Sequence, residues 1–344
     1  MQKSVTLAMG NGGQENNELI TKIFYKYFKN DILEKSEDAA IIKIDNEELR
    51  IENEGAIVNK IAMSTDSFTV SPLFFPGSDI GKLSICGTCN DLAMMGAKPK
   101  YLTVSFIIEE GFNLRDLEKI VRSMKKELEV NGAKIVSGDT KVMPKGTIDK
   151  LIINTTGVGE VLVDGISSNS LQEGDVILVS RDIGAHGATI FMAREGIELD
   201  SELKSDCASL YPSVKALIDT GVKLRAMRDA TRGGVAAVLN EWAKQNSICI
   251  EVEEEAIPIS TEVKGACEML GFEATALANE GTFCIALPKE EAQKALEVLK
   301  ELNSNASIIG KVEGEHKQRV VLKSSYGTKR FLDMPTGELL PRIC

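Results

Sequence analysis

The sequence predicts an α/β (α+β) protein of two domains with an extended C-terminal tail, and three observations carry that expectation. Beta-branched runs alternate with helical periods through both halves of the chain. The length of 344 residues is two domains' worth at roughly 150 residues each. A polar, turn-rich stretch from Asp164 to Asp175 interrupts the alternation in mid-chain. The cut is placed near residue 168, giving domains over 1–167 and 168–332 and a tail over 333–344.

Leu19, Ile20, Ile23, Phe24, Tyr27 and Phe28 recur every three to four residues and predict an amphipathic helix over 14–28, entered from Gly10-Asn11-Gly12-Gly13. Strands are expected at 39–44, 57–64, 101–108, 134–137 and 150–158, with helices at 80–96 and 114–130. The second half reads as strand 176–180, helices 185–195, 208–220 and 234–245, strand 248–252, helix 260–270, strand 282–287, helix 289–302 and strand 307–312. After Asp333 the tail carries Pro335 and Pro341, which disfavour a helix and favour an extended chain.

Composition excludes several classes of function. An apolar fraction of 43% supports real cores, while 51 acidic against 40 basic side chains leave a formal charge of −11. Such a surface repels nucleic acid and anionic membranes, and aromatic residues at 5% offer no stacking platform for bases. No apolar run approaches the roughly 18 residues of a membrane span, and the first residues lack a signal-peptide pattern. Seven cysteines in an acidic chain suit a reducing, cytoplasmic setting better than a disulfide framework.

Gly10, Asn11, Gly12 and Gly13 before a helix offer backbone N–H groups suited to phosphate, although a plain entry turn explains them equally well. Gly77 to Ser84 has one spacer too few for a P-loop and no hydroxyl after Lys82. Four strings set an aspartate among turn-formers or hydroxyls: Thr65-Asp66-Ser67, Cys89-Asn90-Asp91, Gly138-Asp139-Thr140-Lys141 and Arg228-Asp229 through Gly234. Each alone reads as a turn or cap, but four together favour one site where carboxylates hold Mg²⁺ against nucleotide phosphates. Cys86 and Cys89, a C-x-x-C without companions inside a helical stretch, read as packing. His186 in Gly-Ala-His-Gly could cap a helix or contact a ligand, but it and His316 read more simply as bland loop residues, and Glu251 to Glu255 as a solvated face. Cys344 places a thiol at the end of the extended tail, the arrangement of a carrier arm.

Taken together, Ser64-Thr-Asp-Ser67, Pro72 to Gly77, Gly81-Lys-Leu-Ser-Ile-Cys-Gly-Thr-Cys-Asn-Asp91, Val136 to Val142, Arg228-Asp-Ala-Thr-Arg-Gly-Gly234, Ala278-Asn-Glu-Gly281 and Pro341-Arg-Ile-Cys344 resemble the HypE family of hydrogenase expression/formation proteins. That family lies in the superfamily of aminoimidazole ribonucleotide synthetase and selenophosphate synthetase. The resemblance spans the chain, and the terminal Pro-Arg-Ile-Cys singles out the maturation proteins. Met9 stands where such proteins usually carry a histidine, so no role of that histidine transfers. The resemblance implies N-terminal domains pairing in a homodimer into an intersubunit β-barrel, with a C-terminal mixed sheet flanked by helices. It implies ATP-dependent dehydration of a carbamoyl group on Cys344 to a thiocyanate, the cyanide donor for [NiFe]-hydrogenase iron, with ATP and Mg²⁺ as cofactors. Asp66, Asp91, Asp139, Thr140 and Asp229 are the expected nucleotide and metal residues, and Lys141 and Glu280 the expected proton handlers. The implied partners are the carbamoyltransferase HypF and a HypC–HypD complex that receives the cyanide. Two rivals stay open at the level of residues: a small-molecule ATP-dependent ligase or kinase, and a non-catalytic delivery scaffold.

Overall fold

The computed structural model describes residues 6, 9, 13–28, 30–43, 60–197, 202–337 and 343–344. The first layer is a five-stranded sheet in the order β1-β2-β7-β5-β6, from Ala40–Lys43 (β1), Lys60–Phe68 (β2), Ala97–Glu109 (β5), Lys134–Met143 (β6) and Leu151–Val161 (β7). A short hairpin, Phe74–Phe75 (β3) with Ser78–Asp79 (β4), leads out of it. All ladders in this sheet are antiparallel except β5–β6, which is parallel and joined by helix Leu114–Asn131.

Strict alternation organises β2 and β7. Ala62 and Phe68 on β2 and Leu151, Ile153 and Thr155 on β7 turn to the buried face, while Met63, Thr65 and Ser67 turn out. Helix Ile80–Met94 covers the buried face. It is buried nearly throughout, polar Ser84, Thr88 and Asn90 included, the pattern of a helix with no solvent face. Thr88 and Thr155 share a hydroxyl hydrogen bond of 2.6 Å at the contact, and Asp79 caps the helix by accepting from the Gly81 and Lys82 N–H groups at 2.7 and 3.1 Å. Ser123 of helix Leu114–Asn131 donates to the same carboxylate at 2.5 Å, so one cap ties two helices.

The second layer is a seven-stranded mixed sheet, ordered β14-β13-β10-β12-β8-β11-β9. Its strands are Val176–Val179 (β8), Ala226–Asp229 (β9), Cys249–Glu253 (β10), Phe283–Leu287 (β11), Ser307–Glu313 (β12), Arg319–Lys323 (β13) and Lys329–Phe331 (β14). β8 and β11 are buried at every position, which fits strands covered on both faces. Helices Ala185–Glu195, Tyr211–Asp219, Gly234–Gln245, Thr261–Leu270 and Ala292–Leu302 flank the sheet. One core cluster runs from the helix at Ile80 into the second domain through Cys207, Ala188 and Leu277, and it includes Ile343.

The expected amphipathic helix is present as Gln14–Leu19, a π-helical turn Ile20–Phe24 and Tyr25–Phe28, yet none of its residues is buried. The hairpin β3–β4 and strands β9, β13 and β14 were absent from the sequence reading: they are two to five residues long, and β14 is exposed. No helix among the described residues is long and apolar enough to cross a membrane. Replacing Asp79 by alanine should cost about 1–2 kcal/mol of stability, read as a lower urea midpoint with an unchanged slope.

Candidate active site

Where β2, the C-terminal half of the helix at Ile80 and the end of β9 meet, the chain places three of the predicted aspartates together. Asp66 lies on the buried face of β2, Asp91 on the helix and Asp229 at the last position of β9. Ser64 donates to Asp91 at 2.5 Å, and the Asp66 and Asp91 side chains hydrogen-bond to each other. Both carboxyls are held above the usual carboxylate range, first by burial and for Asp91 also by the charge of Asp66. Asp229 is raised for the same reasons, and its Oδ2 has no hydrogen-bond partner.

A fourth carboxylate belongs here that the sequence reading missed. Asp38 precedes β1 and pairs with Arg228 at 2.9 Å, while Arg228 also holds Glu241 at 2.9 Å. Burial pushes Asp38 up to about 7 despite that arginine, and its Oδ2 is unpartnered. The available signal was the acidic pair Glu37-Asp38 directly before a beta-branched run. These groups line a cleft of about 790 Å³ whose wall includes Asn16, Thr65, Asp66, Asp91, Asp229 and Arg232. That volume accommodates a nucleotide-sized ligand. Among the described residues no three carboxylate, thiol or imidazole groups form a finished metal cage. Magnesium seldom uses one, taking one or two carboxylates with phosphate oxygens and water, so the unpartnered oxygens of Asp38 and Asp229 fit it.

Arg232, in the loop after β9, joins the cleft to the end of the chain. Its charge is favoured most by Cys344, opposed by burial, and favoured further by Asp66 and Glu280. Ile343 is buried and Cys344 half-buried. The Cys344 main-chain oxygen accepts from the Thr69 N–H at 2.9 Å and the Thr69 hydroxyl at 3.3 Å. Burial pushes the Cys344 thiol up to about 12, against the opposing pull of Arg232 and with the help of Glu280. The thiol is therefore neutral in this position. Glu280 is buried beside it, its Oε1 unpartnered and its carboxyl raised well above 4.5 by burial and by neighbouring negative groups. Asp206 fixes the Glu280 main chain: it accepts from the Glu280 and Gly281 N–H groups, each at 3.0 Å, and from the Thr282 hydroxyl at 2.9 Å. A Cβ at Gly281 would stand 1.9 Å from the Asp206 carbonyl oxygen, so only glycine permits this approach.

The remaining predicted residues lie elsewhere. Asp139, Thr140 and Lys141 sit on β6, the exposed edge strand; Lys141 pairs with Asp139 at 3.0 Å in open solvent. Ser67 of β2, Asn154 of β7, Ser105 of β5 and Asp139 follow one another across the sheet, so Asp139 is three strand steps, about 14 Å, from β2. The chain by itself does not bring these three into the cleft. Gly10, Asn11 and Gly12 lie outside the described residues, as does Arg342. Gly13 is buried against the tail: the Gln14 N–H points to the Pro335 carbonyl at 3.4 Å, and a Cβ on Gly13 would meet that oxygen at 2.4 Å. This glycine serves the passage of the tail. Cys86 and Cys89 are both buried in their helix, as their spacing without companions suggested, and Cys86 contacts Cys207. His186, read from sequence as a loop residue, is fully buried in the first turn of a helix and touches the tail.

The pH dependence of stability follows from the raised carboxyls. A group that binds its proton more tightly in the folded state stabilises the fold below its unfolded pKa and loses that contribution as pH rises through its folded value. For Asp38 the window runs from about 4 to about 7. The ligand-free protein should lose stability between about pH 4 and about pH 7, and Asp38→Asn should flatten that slope in thermal melts.

Comparison with known proteins places this geometry. Residues 36–161 match the N-terminal domain of AIR synthase related proteins, and residues 172–323 match their C-terminal domain. The carbamoyl dehydratase HypE of Escherichia coli is 45% identical over 99% of both chains, and a putative hydrogenase expression/formation protein of Methanocaldococcus jannaschii is 41% identical over the same shares. Among solved structures, the hydrogenase maturation protein HypE in complex with ATP superposes with a TM-score of 0.81 at 41% identity, covering 99% of this chain and 100% of that one. The HypE–HypF complex gives 0.84 at 42% identity over 92% and 99%. A ThiL protein complexed with AMPPCP and TMP, 18% identical with a TM-score of 0.68 over 96% and 99%, shares the fold alone. The chain belongs to the HypE family of carbamoyl dehydratases, built from two AIR-synthase-related domains.

Proposed function

We propose that this protein dehydrates a carbamoyl group carried on its own Cys344, using ATP, and so makes the protein thiocyanate that supplies cyanide to [NiFe]-hydrogenase iron. The observation that carries the reading is the seating of half-buried Cys344 on Thr69, where its thiol feels the charges of Arg232 and Glu280 and Arg232 also lines the carboxylate-rich cleft.

The reaction converts a thiocarbamate and ATP into a thiocyanate, ADP and phosphate. The carbamoyl oxygen takes the γ-phosphoryl of ATP and one N–H proton leaves. The carbon–oxygen bond then breaks, phosphate departs and the second N–H proton leaves, closing the nitrile. Magnesium held by Asp66, Asp91, Asp229 and Asp38 would neutralise charge on the transferring phosphoryl. Arg232 faces both sulfur and carboxylates and is placed to stabilise the oxygen as it gains charge. Glu280 is matched to the nitrogen protons, because burial makes its carboxylate a stronger base than a solvated one. Water must be kept from the activated group, and the buried Ile343 beside Cys344 in the chain would contribute to that.

Three further parts belong to the same reading. The unpaired, exposed edge of β6 suits pairing with a second copy into a homodimer barrel, and only across such an interface would Asp139, Thr140 and Lys141 approach a cleft. HypF is the source of the carbamoyl group and a HypC–HypD complex the receiver of the cyanide. Seven free thiols fit a cytoplasmic protein.

The test is the mass of the C-terminal peptide after incubation with carbamoyl donor, HypF and Mg-ATP. Cys344 should carry a carbamoyl group with a non-hydrolysable ATP analogue and that group less one water with ATP; Cys344→Ala should carry neither while still binding ATP. An unmodified peptide beside an active transferase would overturn the reading. Asp91→Asn and Asp229→Asn should weaken Mg-ATP binding roughly ten-fold or more in calorimetry, with smaller effects on ATP without magnesium. With Glu280→Gln, the carbamoylated form should accumulate and the rise of the dehydration rate with pH should vanish.

A further inference from the structure

The docked tail is held by its main chain, and its hold runs through a residue the reaction scheme leaves unused. His186 Nε2 lies 2.8 Å from the Ile343 carbonyl oxygen, and Nδ1 lies 2.8 Å from the Ser205 hydroxyl. A carbonyl only accepts, so Nε2 carries the proton and Nδ1 accepts from Ser205. The same Ser205 oxygen accepts from the Cys207 N–H at 3.1 Å. Between them stands Asp206, whose carboxylate fixes the main chain of Glu280 and Gly281. Burial lowers the pKa of His186, which keeps the imidazole neutral and its two nitrogens distinct, and Phe75 packs edge-on to the ring at 5.6 Å.

We propose that His186 is a positioning residue for the tail: it grips the Ile343 carbonyl and, through Ser205, ties the docked tail to the segment Ser205–Cys207 that also fixes Glu280. One short segment thereby sets the distance between the sulfur of Cys344 and the carboxyl that serves it. Thr69 supplies the second grip, on the Cys344 main-chain oxygen. Neither grip touches the sulfur, so the thiol, carbamoyl and thiocyanate forms dock alike. The catalytic part of this proposal rests on the dehydration reading above; the docking part does not.

The experiment uses the full-length protein without nucleotide and follows iodoacetamide alkylation of Cys344 by peptide mass. The other six cysteines are buried, and their protection reports that each variant is folded. His186→Ala should speed alkylation of Cys344 roughly three- to ten-fold, the range that one neutral hydrogen bond supports. Ser205→Ala should raise it less, and His186→Gln, which keeps an N–H donor, should restore most of the protection. In single turnover, His186→Ala should slow dehydration of the carbamoylated protein by a similar factor with ATP affinity unchanged. Unchanged alkylation in a folded His186→Ala protein overturns the grip, and faster alkylation with unaltered dehydration overturns the positioning role. Absence of dehydration in the unmodified sequence would sink the proposed reaction while the alkylation series still decides the grip.

Discussion

Burying negative charge is the constraint around which this molecule is arranged. Asp38, Asp66, Asp91, Asp229 and Glu280 are all held above their ordinary pKa values by burial, and each feels at least one of the others. In a chain already carrying −11, such a cluster opposes folding unless protons, arginines or a cation answer it. Arg228 and Arg232 answer part of it, the first locked between Asp38 and Glu241, the second shared between the cleft and the tail. The unpartnered oxygens that remain are the part a bound cation would satisfy. A cation bound among these carboxylates would offset the cost of burying them.

The supporting architecture makes sense as the means of holding those groups apart from water. The helix Ile80–Met94 is buried along nearly its whole length, and Asp91 near its end is carried inward with it. β2 delivers Asp66 to the same face by simple alternation, and β9 ends on Asp229. Three aspartates far apart in sequence therefore converge because three separate elements are packed on one core.

How much of this was legible follows from where each signal lies. Long periodic elements were readable because their partners do not change their pattern: the helix Leu114–Asn131, with its charged outer face, and the strand Leu151–Val161, buried at alternate positions, match their expected spans closely. Strands β9 and β14 were not, being three or four residues with charged members, too short for a period to declare itself. Asp66, Asp91 and Asp229 were found because each stands among hydroxyls or turn-formers. His186 was passed over because nothing near it in sequence reveals its partner, which is 157 residues away. Asp38 was missed for a related reason: an acidic pair before a strand reads as surface until Arg228, brought in by β9, is seen to bury it. The prolines of the tail could not reveal that Ile343 and Cys344 are seated against His186 and Thr69, which depends on tertiary contacts alone.

The seating of Ile343 and Cys344 within the same chain has a kinetic meaning. A substrate tethered to its own catalyst arrives at a local concentration set by the tether, independent of how dilute the protein is. Dehydration should then behave as a first-order event in each molecule, without saturation, and a carbamoylated peptide added from solution would compete poorly with the resident tail.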